Sequence, residues 1–383
     1  MSARAFKTKP KATSWEMRSS HVRASITHIG AQLAPLRFRL GDRWVEPLSI
    51  APWASESAAS VHVLPPMLRN LRGDFFACPF GGNACAYRGE QHPPHGESAN
   101  ARWTKTAADG RCLSLRLRTR VRAGEIHQTL RLIDGQSAIY IEHLLMGMAG
   151  KMSAGRHIMV KCRSRGHLTI GGFTYGRTPA EPIERPENRG YSLLSPGQRF
   201  SDLARVETVT HGIADLTTVP SVRGFEDLVQ CAAEPSTAFG WSTITFPEEQ
   251  FLLFALKDRR ALPTTILWLS NGGRHYSPWN GRHVDVVGLE DVCSHFHHGL
   301  AESAAPNVWS EAGIATTLRL TPERPTRIGY IVGVAAISRT FGRVASLSSE
   351  RHDAAHRLTF IDADGHRVST TLDADFVDSL SAD

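Results

Sequence analysis

Apolar and polar residues alternate along most of this chain, which is the pattern of strands that bury one face. The alternating segments are 36–40 (LRFRL), 113–121 (LSLRLRTRV), 126–133 (IHQTLRLI), 138–145 (AIYIEHLL), 316–321 (TTLRLT) and 327–334 (RIGYIVGV). An Asp-Gly pair between 126–133 and 138–145 predicts a hairpin. The best helix candidate is short, GLAESAA at 299–305. The pattern therefore predicts an all-β protein, built as a large antiparallel β-sandwich.

The domain organisation predicted for the 383 residues is simple. Residues 1–18, rich in Lys, Ser and Thr, read as a flexible N-terminal tail. No repeat and no clear linker divides residues 19–383, and the turn-rich segment 173–200 reads as an excursion between strands. We therefore expect one β-sandwich domain over 19–383.

A net charge of +7 is compatible with an anionic partner, so nucleic acid has to be weighed. Arg116, Arg118, Arg120 and Arg122 would share one face of a strand. Because no recognised nucleic-acid-binding module accompanies them, a solvated sheet face is the favoured interpretation. We expect no nucleic-acid partner.

Cysteine usage and the apolar runs bear on the compartment. The six cysteines are scattered without a Cys-x-x-Cys pair, which disfavours a zinc ribbon or a disulfide framework. The basic N-terminus lacks the apolar core of a signal peptide, and no run approaches the roughly 20 apolar residues of a membrane span. We expect a cytoplasmic protein with reduced thiols and no membrane partner.

Four stretches carry candidate chemistry. Arg72 lies in LRNLRGDFFACPFGGN (68–83), where a guanidinium can fork two hydroxyls or instead face solvent. His95 lies on a turn that ends in glycine, in HPPHGESANARW (92–103). His157 follows a loop of small residues in MGMAGKMSAGRHIMVK (146–161), where a structural histidine is the alternative.

The fourth stretch is ILWLSNGGRHYSPWNGRHVDVVGLEDV (266–292). Asn271 ends a strand, Trp268 and Trp279 bracket the loop, and Glu290 follows. Aromatic faces beside amide, guanidinium and carboxylate groups are typical of sugar sites, because rings pack on C–H faces and polar groups bind hydroxyls. The alternative is a tryptophan-containing core edge with a surface glutamate.

Taken in order, these four stretches resemble the aldose 1-epimerase (galactose mutarotase) superfamily, including its glucose-6-phosphate 1-epimerase branch. The matching motifs are LRGDFFACPFGG, HGESANARW, AGRHIMVK and VGLEDV, and they lie within residues 25–335. The resemblance implies a galactose mutarotase-like supersandwich and a sugar isomerase. It also implies that the reaction needs no metal and no other cofactor.

The resemblance also implies roles for individual residues. Glu290 matches the general base, His157 the general acid, His95 a histidine that orients the sugar, and Arg72 a hydroxyl-binding arginine. An acidic substrate-binding residue is expected before the tryptophan strand, and Asp227 is the candidate, with Glu226 as its neighbour. We expect the Glu290 carboxylate to stay ionised beside arginine while a histidine donates near pH 7.

Two positions depart from the family pattern: Ala99 stands where the HGFAR motif has arginine, and Asp291 follows Glu290 in place of proline. These departures leave activity and phosphate-sugar handling open. The expected partner is a monosaccharide or a sugar phosphate, and a homodimer is compatible with the sequence.

Other functions stay open. Cys293, His295, His297 and His298 lie within six residues and would offer a metal site if this segment were a strand. A non-catalytic carbohydrate-binding β-sandwich, or a lyase or hydrolase on the same fold, are the remaining alternatives.

Overall fold

The computed structural model describes residues 13–56, 59–234, 239–353 and 355–378. Nearly all regular structure in these ranges is antiparallel strand, which confirms the predicted all-β sandwich. The helices are short: α1 Ala59–His62, α2 Pro66–Asn70, α3 Gly96–Asn100 and α4 Leu300–Ala304, with 3-10 turns at Pro186–Asn188 and Ala374–Val377.

The strands divide into three stretches of the chain. The first stretch holds β1 Ser14–Arg18, β2 Val22–Thr27, β3 Leu33–Leu40, β4 Arg43–Val45, β5 Phe76–Ala77, β6 Thr104–Ala108, β7 Cys112–Thr119, β8 Gly124–Leu132 and β9 Ala138–Met146. The second holds β10 Gly150–Met152, β11 Ala154–Arg156, β12 Ile158–Lys161, β13 Gly166–Ile170, β14 Phe173–Arg177, β15 Arg199–Phe200, β16 Val206–Glu207, β17 Ile213–Ala214 and β18 Thr218–Val219. The third holds β19 Phe225–Ala233, β20 Gly240–Phe246, β21 Phe251–Lys257, β22 Thr264–Asn271, β23 Val286–Cys293, β24 Leu318–Leu320, β25 Thr326–Ala336, β26 Val344–His352, β27 Ala355–Asp362 and β28 Arg367–Leu372.

Two large sheets form the sandwich. One has nine strands in the order β18-β13-β20-β21-β25-β9-β8-β7-β6, and the other has the order β15-β14-β19-β22-β23-β11-β5, with β12 also paired to β23. The main hydrophobic core lies between them. The predicted hairpin is present, since β8 and β9 pair across Asp134 and Gly135.

The central strands of the eight-stranded sheet are buried on both faces, unlike the half-exposed strands at the edge of the other sheet. β8 alternates between buried and partly exposed positions, whereas every residue of β22 and β23 is buried. Leu267 and Leu289 point into the main core, while Ile266 and Trp268 belong to a second apolar cluster on the opposite face. This opposite face carries the candidate site.

Further layers cover the outer faces of the sandwich. The three-stranded sheet β26–β28 packs on the nine-stranded sheet through residues such as Leu358 and Phe360. Loops and the helices α2 and α3 cover the eight-stranded sheet, and Trp53, Phe75 and Phe80 pack there. None of the helices in the described ranges has the length and hydrophobicity of a membrane span.

Two sequence expectations need correction. Ser14–Arg18 belongs to β1, paired with β2 and with Met17 buried, so this part of the expected tail is ordered sheet; residues 1–12 lie outside the described residues. The four arginines do not form one exposed stripe, because β7 ends at Thr119 and Arg122 is buried against Glu90.

Candidate active site

His157, the residue between β11 and β12, meets Glu290 of β23. The register pairs Gly155 with Val292 and Ile158 with Leu289, so His157 lies directly opposite Glu290. Directly opposed residues of antiparallel strands share a face of the sheet. The His157 Nε2 and Glu290 Oε1 atoms are 3.0 Å apart, and both side chains are buried.

Burial sets the protonation of this pair. It raises the pKa of Glu290 well above its usual 4.5, and the nearby Arg274 charge only partly opposes this. Burial, followed by the neighbouring His95, lowers the pKa of His157 well below its usual 6.5. Both shifts favour the form in which the pair holds one proton as a carboxylic acid beside a neutral imidazole. Burial therefore opposes the ionised Glu290 that the sequence analysis expected, and the arginine only partly offsets this effect.

The same register points the side chains of the two neighbouring residues, Arg156 and Asp291, towards the main core. Arg156 lies opposite Asp291 and points to the other face of the sheet. Asp291 is 2.9 Å from Lys257 Nζ and 3.5 Å from Arg156 Nε, and all three side chains are buried. Asp291, which stands where the family pattern has proline, is thus a partner of interior cations behind the site.

His95 reaches the pair because its turn adopts left-handed backbone geometry. His95 has φ 57°, Gly96 has φ 73°, and the His95 amide donates to the Gly81 carbonyl at 2.7 Å. A side chain at Gly96 would lie 1.9 Å from the Cys78 carbonyl oxygen, so glycine is required there. The His95 ring is edge-on to His157 at 5.4 Å, and burial lowers its pKa to about 4.

These residues line a cavity of about 130 Å³ on the outer face of the eight-stranded sheet. Its polar side chains are His95, His157, Arg274, Glu290 and His297. Trp268 and Trp279 supply aromatic surface, edge to face with ring centroids 6.0 Å apart. The remaining lining is aliphatic: Met67, Leu68, Leu71, Ile183 and Leu228.

Arg274 is the cation of the cavity, and the sequence analysis did not select it. Its Nε atom is 2.5 Å from Glu184 Oε1, and its Nη1 atom is 3.6 Å from Glu226 Oε1. The guanidinium also lies 4.5 Å from the centre of the Trp279 ring. Its charge is therefore already balanced inside the protein. The feature of the sequence that could have identified Arg274 is its position in the loop between Asn271 and Trp279, two residues assigned to the site.

Glu226, and not Asp227, faces the site. Leu228 lines the cavity, and strand alternation puts Glu226 on the same face as Leu228 and Asp227 on the other. Glu226 accepts a hydrogen bond from Trp268 Nε1 at 2.7 Å, and burial raises its pKa to about 7.

Three residues that the sequence analysis assigned to sugar binding do not line this cavity and hydrogen-bond elsewhere. Asp227 accepts the backbone N–H groups of Leu193 and Leu194. Asn271 donates to the Ser221 carbonyl at 2.6 Å and accepts the amide of Asp285. Arg72 donates to the carbonyls of Asn70 and Ala54 and does not line the cavity. Each of these side chains hydrogen-bonds to the backbone of a neighbouring loop, whereas Trp279 lines the cavity.

The cluster of Cys293 and the three histidines after it does not form a metal site in the described residues. β23 ends at Cys293 and the chain then turns, so His295 and His297 do not alternate on a strand. The described part of the chain brings three ligand atoms together only at Asp362, Asp364 and His366, far along the sequence from this cluster. His297 instead lines the cavity, and burial lowers its pKa to about 3.

Comparison with known proteins gives matches of structure and not of sequence. No protein-family model and no curated protein matches the chain. A candidate aldose 1-epimerase from Escherichia coli K12 superposes with TM-score 0.56 at 13% identity, over 85% of this chain and 99% of its own.

Two other solved structures superpose on this chain to a similar extent. A protein from Synechocystis sp. PCC 6803 gives TM-score 0.56 at 14% identity, covering 88% of this chain and 100% of its own. A galactose mutarotase-like protein from Lactobacillus casei ATCC 334 gives TM-score 0.51 at 12% identity, covering 84% and 100%. At these identities the likeness establishes the fold, which is the galactose mutarotase-like β-sandwich that the motifs implied.

Proposed function

We propose that this protein is an aldose 1-epimerase-like isomerase that interconverts the anomers of a monosaccharide. The observation that carries the proposal is the contact of 3.0 Å between His157 and Glu290 within a cavity lined by two tryptophans. Anomer exchange requires one group that takes the proton of the C1 hydroxyl and one that protonates the ring oxygen. A pair that holds one proton meets this requirement without a metal or redox cofactor.

The proton moves between these two residues during the reaction. Glu290 passes its proton to His157 across their direct contact of 3.0 Å as the sugar enters, and the sugar then lies between them with its C1 hydroxyl at Glu290 and its ring oxygen at His157. The carboxylate then takes the C1 hydroxyl proton while His157 protonates the ring oxygen. The bond between C1 and the ring oxygen breaks as the C1 carbonyl forms. Rotation about C1–C2 and the reverse transfers give the other anomer.

The polar groups of the sugar favour the charge-separated pair that this step needs. In the free protein, burial favours the neutral form of both residues. Hydroxyls that hydrogen-bond to Glu290 stabilise its carboxylate, and the Arg274 charge acts in the same direction. The His95 ring lies edge-on to the His157 ring, with the ring centroids 5.4 Å apart. It is therefore suited to orient the sugar beside His157.

A neutral monosaccharide fits this cavity better than a sugar phosphate. Arg274 is the only lysine or arginine that lines it within the described residues, and Glu184 and Glu226 already balance its charge. A phosphate would bring about two negative charges into a buried site without an unpaired cation. The unphosphorylated sugar is therefore the substrate class we propose.

We further propose a cytoplasmic location and no nucleic-acid partner. All six cysteines are free thiols, and four of them are buried, which suits a reducing compartment. Arg116 and Arg118 approach Glu125, which reduces the positive charge that β7 presents to a phosphate backbone.

The test is the rate at which freshly dissolved α-anomers of several sugars reach equilibrium, followed by polarimetry. We expect the protein to accelerate the approach to anomeric equilibrium. We expect Glu290→Gln to reduce this catalysed rate by about 10²- to 10⁴-fold. Glu311→Gln, an exposed change outside the cavity, is the matched control and should act like the wild type. Full acceleration by folded Glu290→Gln would refute the mechanism. Sugar binding without acceleration in the wild type would identify a non-catalytic binding protein.

A further inference from the structure

The cavity contains fewer polar side chains than a fully hydroxylated hexose requires. An aldohexopyranose carries hydroxyls on C1, C2, C3, C4 and C6 in addition to the ring oxygen. Glu290 and His157 are assigned above to the C1 hydroxyl and the ring oxygen. The polar side chains that remain in the lining are His95, Arg274 and His297. Three side chains are thus left for four hydroxyls.

These three side chains are available for hydrogen bonds. His95 and His297 stay neutral because burial lowers their pKa values, so each imidazole offers one donor and one acceptor. Arg274 uses Nε on Glu184, while its Nη groups form no hydrogen bond with a described residue. One contact from each of these side chains to the hydroxyls on C2, C3 and C4 would engage all three.

Among the described residues, the rest of the lining is aliphatic or aromatic, and its side chains carry no hydroxyl, amide or carboxylate group. Leu68 and Leu71 come from α2 and the residues after it, Ile183 from the 178–192 loop, and Leu228 from β19. With Met67 they form an aliphatic wall drawn from three separate segments. Within the described part of the chain, no Ser, Thr, Asn, Gln, Asp or Tyr lines this cavity.

The aliphatic wall is held in place by hydrogen bonds to its backbone. Gln32 Nε2 donates to the Met67 carbonyl at 2.9 Å, and Trp53 Nε1 donates to the Leu68 carbonyl at 2.8 Å. Both donors belong to buried side chains. The α2 part of the wall is therefore fixed by the folded scaffold without a ligand.

We propose that the substrate is a 6-deoxyhexose, whose methyl group at C6 packs on this aliphatic wall. This inference rests on the proposed function and names the sugar class of the same cavity. A hydroxymethyl group would bury a hydroxyl without a partner, which is unfavourable, whereas a methyl group gains from leaving water. A pentose lacks both groups and leaves the wall uncovered.

The test compares sugars that differ only at C6. One series is D-glucose, 6-deoxy-D-glucose and D-xylose, and the other is D-galactose, 6-deoxy-D-galactose and L-arabinose. Anomer exchange is measured for each sugar by NMR exchange spectroscopy with the wild-type protein. We expect kcat/KM of the 6-deoxy sugar to exceed that of its parent hexose by about 10-fold or more in at least one series, with the pentose between them. A hexose as fast as its 6-deoxy analogue in both series would overturn the inference.

A failure of the proposed function gives a different result from a failure of this inference. If no sugar is turned over, the same panel is titrated by tryptophan fluorescence, since Trp268 and Trp279 line the cavity. Tighter binding of a 6-deoxy sugar than of its parent hexose would support the inference even then. Equal binding, or no binding of any sugar, would overturn it.

A pair of variants tests the wall directly. Leu68→Gln places an amide in the cavity, whereas Leu64→Gln makes the same change on a partly buried residue that does not line it. We expect Leu68→Gln to reduce the preference for the 6-deoxy sugar by about 5-fold or more and Leu64→Gln to leave it unchanged. An unchanged preference in folded Leu68→Gln would contradict the inference.

Discussion

Replacing Asp227 with asparagine should stabilise the protein at neutral pH and leave the site intact. The buried carboxylate accepts the N–H groups of Leu193 and Leu194 at 3.0 and 2.9 Å through Oδ1. An asparagine Oδ1 can accept both. Burial raises the pKa of Asp227 from 3.8 to about 6, so the folded protein holds a charge at pH 7 that it disfavours.

The magnitude follows from this pKa. A difference of about two pH units, at about 1.4 kcal/mol each, costs the folded state about 3 kcal/mol at pH 7. Because the folded pKa is the higher one, this cost is absent below pH 3.8 and is complete above pH 6. We expect Asp227→Asn to raise the free energy of unfolding by about 1 to 3 kcal/mol at pH 7, since one acceptor oxygen is lost, and by little at pH 3.5.

Urea unfolding of wild type and variant at both pH values measures this difference, and the anomerisation assay accompanies it. The variant should retain the wild-type KM, since Asp227 faces away from the cavity. A large rise in KM without a gain in stability would refute the reasoning. It would restore the sugar-binding role that the family resemblance implied for Asp227.

Three further predictions test the site and its support. The pH–rate profile should be bell-shaped, because a second proton on the pair or the loss of its one proton stops turnover. Since the pKa of His157 is lowered and that of Glu290 is raised, the two limbs should lie further apart than the ordinary values 6.5 and 4.5, and limbs centred on those two values would contradict the assigned shifts. Lys257→Met should lower the free energy of unfolding by about 3 to 5 kcal/mol in urea melts, because it leaves the buried Asp291 carboxylate without its nearest cation. A loss of less than about 1 kcal/mol would contradict this structural role of Lys257. Gly96→Ala should disturb the turn of the neighbouring histidine and reduce activity at least 10-fold while the protein stays folded by circular dichroism, and wild-type activity would show that the turn tolerates a side chain.

The sequence predicted the features that depend on strand periodicity and on short turns. The alternation in 113–121 and 126–133 corresponds to β7 and β8, and the Asp-Gly pair lies in the predicted hairpin. His157 lies between β11 and β12, which both pair with the strand of Glu290, so the meeting of the two residues depends on backbone register.

Residues whose direction depends on tertiary packing were not predictable in the same way. In GFEDLV, alternation shows that Glu226 and Asp227 face opposite ways but not which one faces the cavity, and the outer loops decide this. Arg72 and Asn271 lie where strands or helices give way to loops, and their side chains hydrogen-bond to backbone groups of residues that do not line the cavity. Arg274 belongs to a loop, where no periodicity predicts the direction of a side chain.

A crystal structure of the protein soaked with a 6-deoxyhexose tests the central claim most directly. The account predicts a sugar in the cavity with its C1 hydroxyl within hydrogen-bonding distance of Glu290 and its ring oxygen within that distance of His157 Nε2. The two side chains should then be further apart than their present 3.0 Å. A sugar bound with its anomeric carbon away from this pair, while the pair keeps its direct contact of 3.0 Å, would contradict the account.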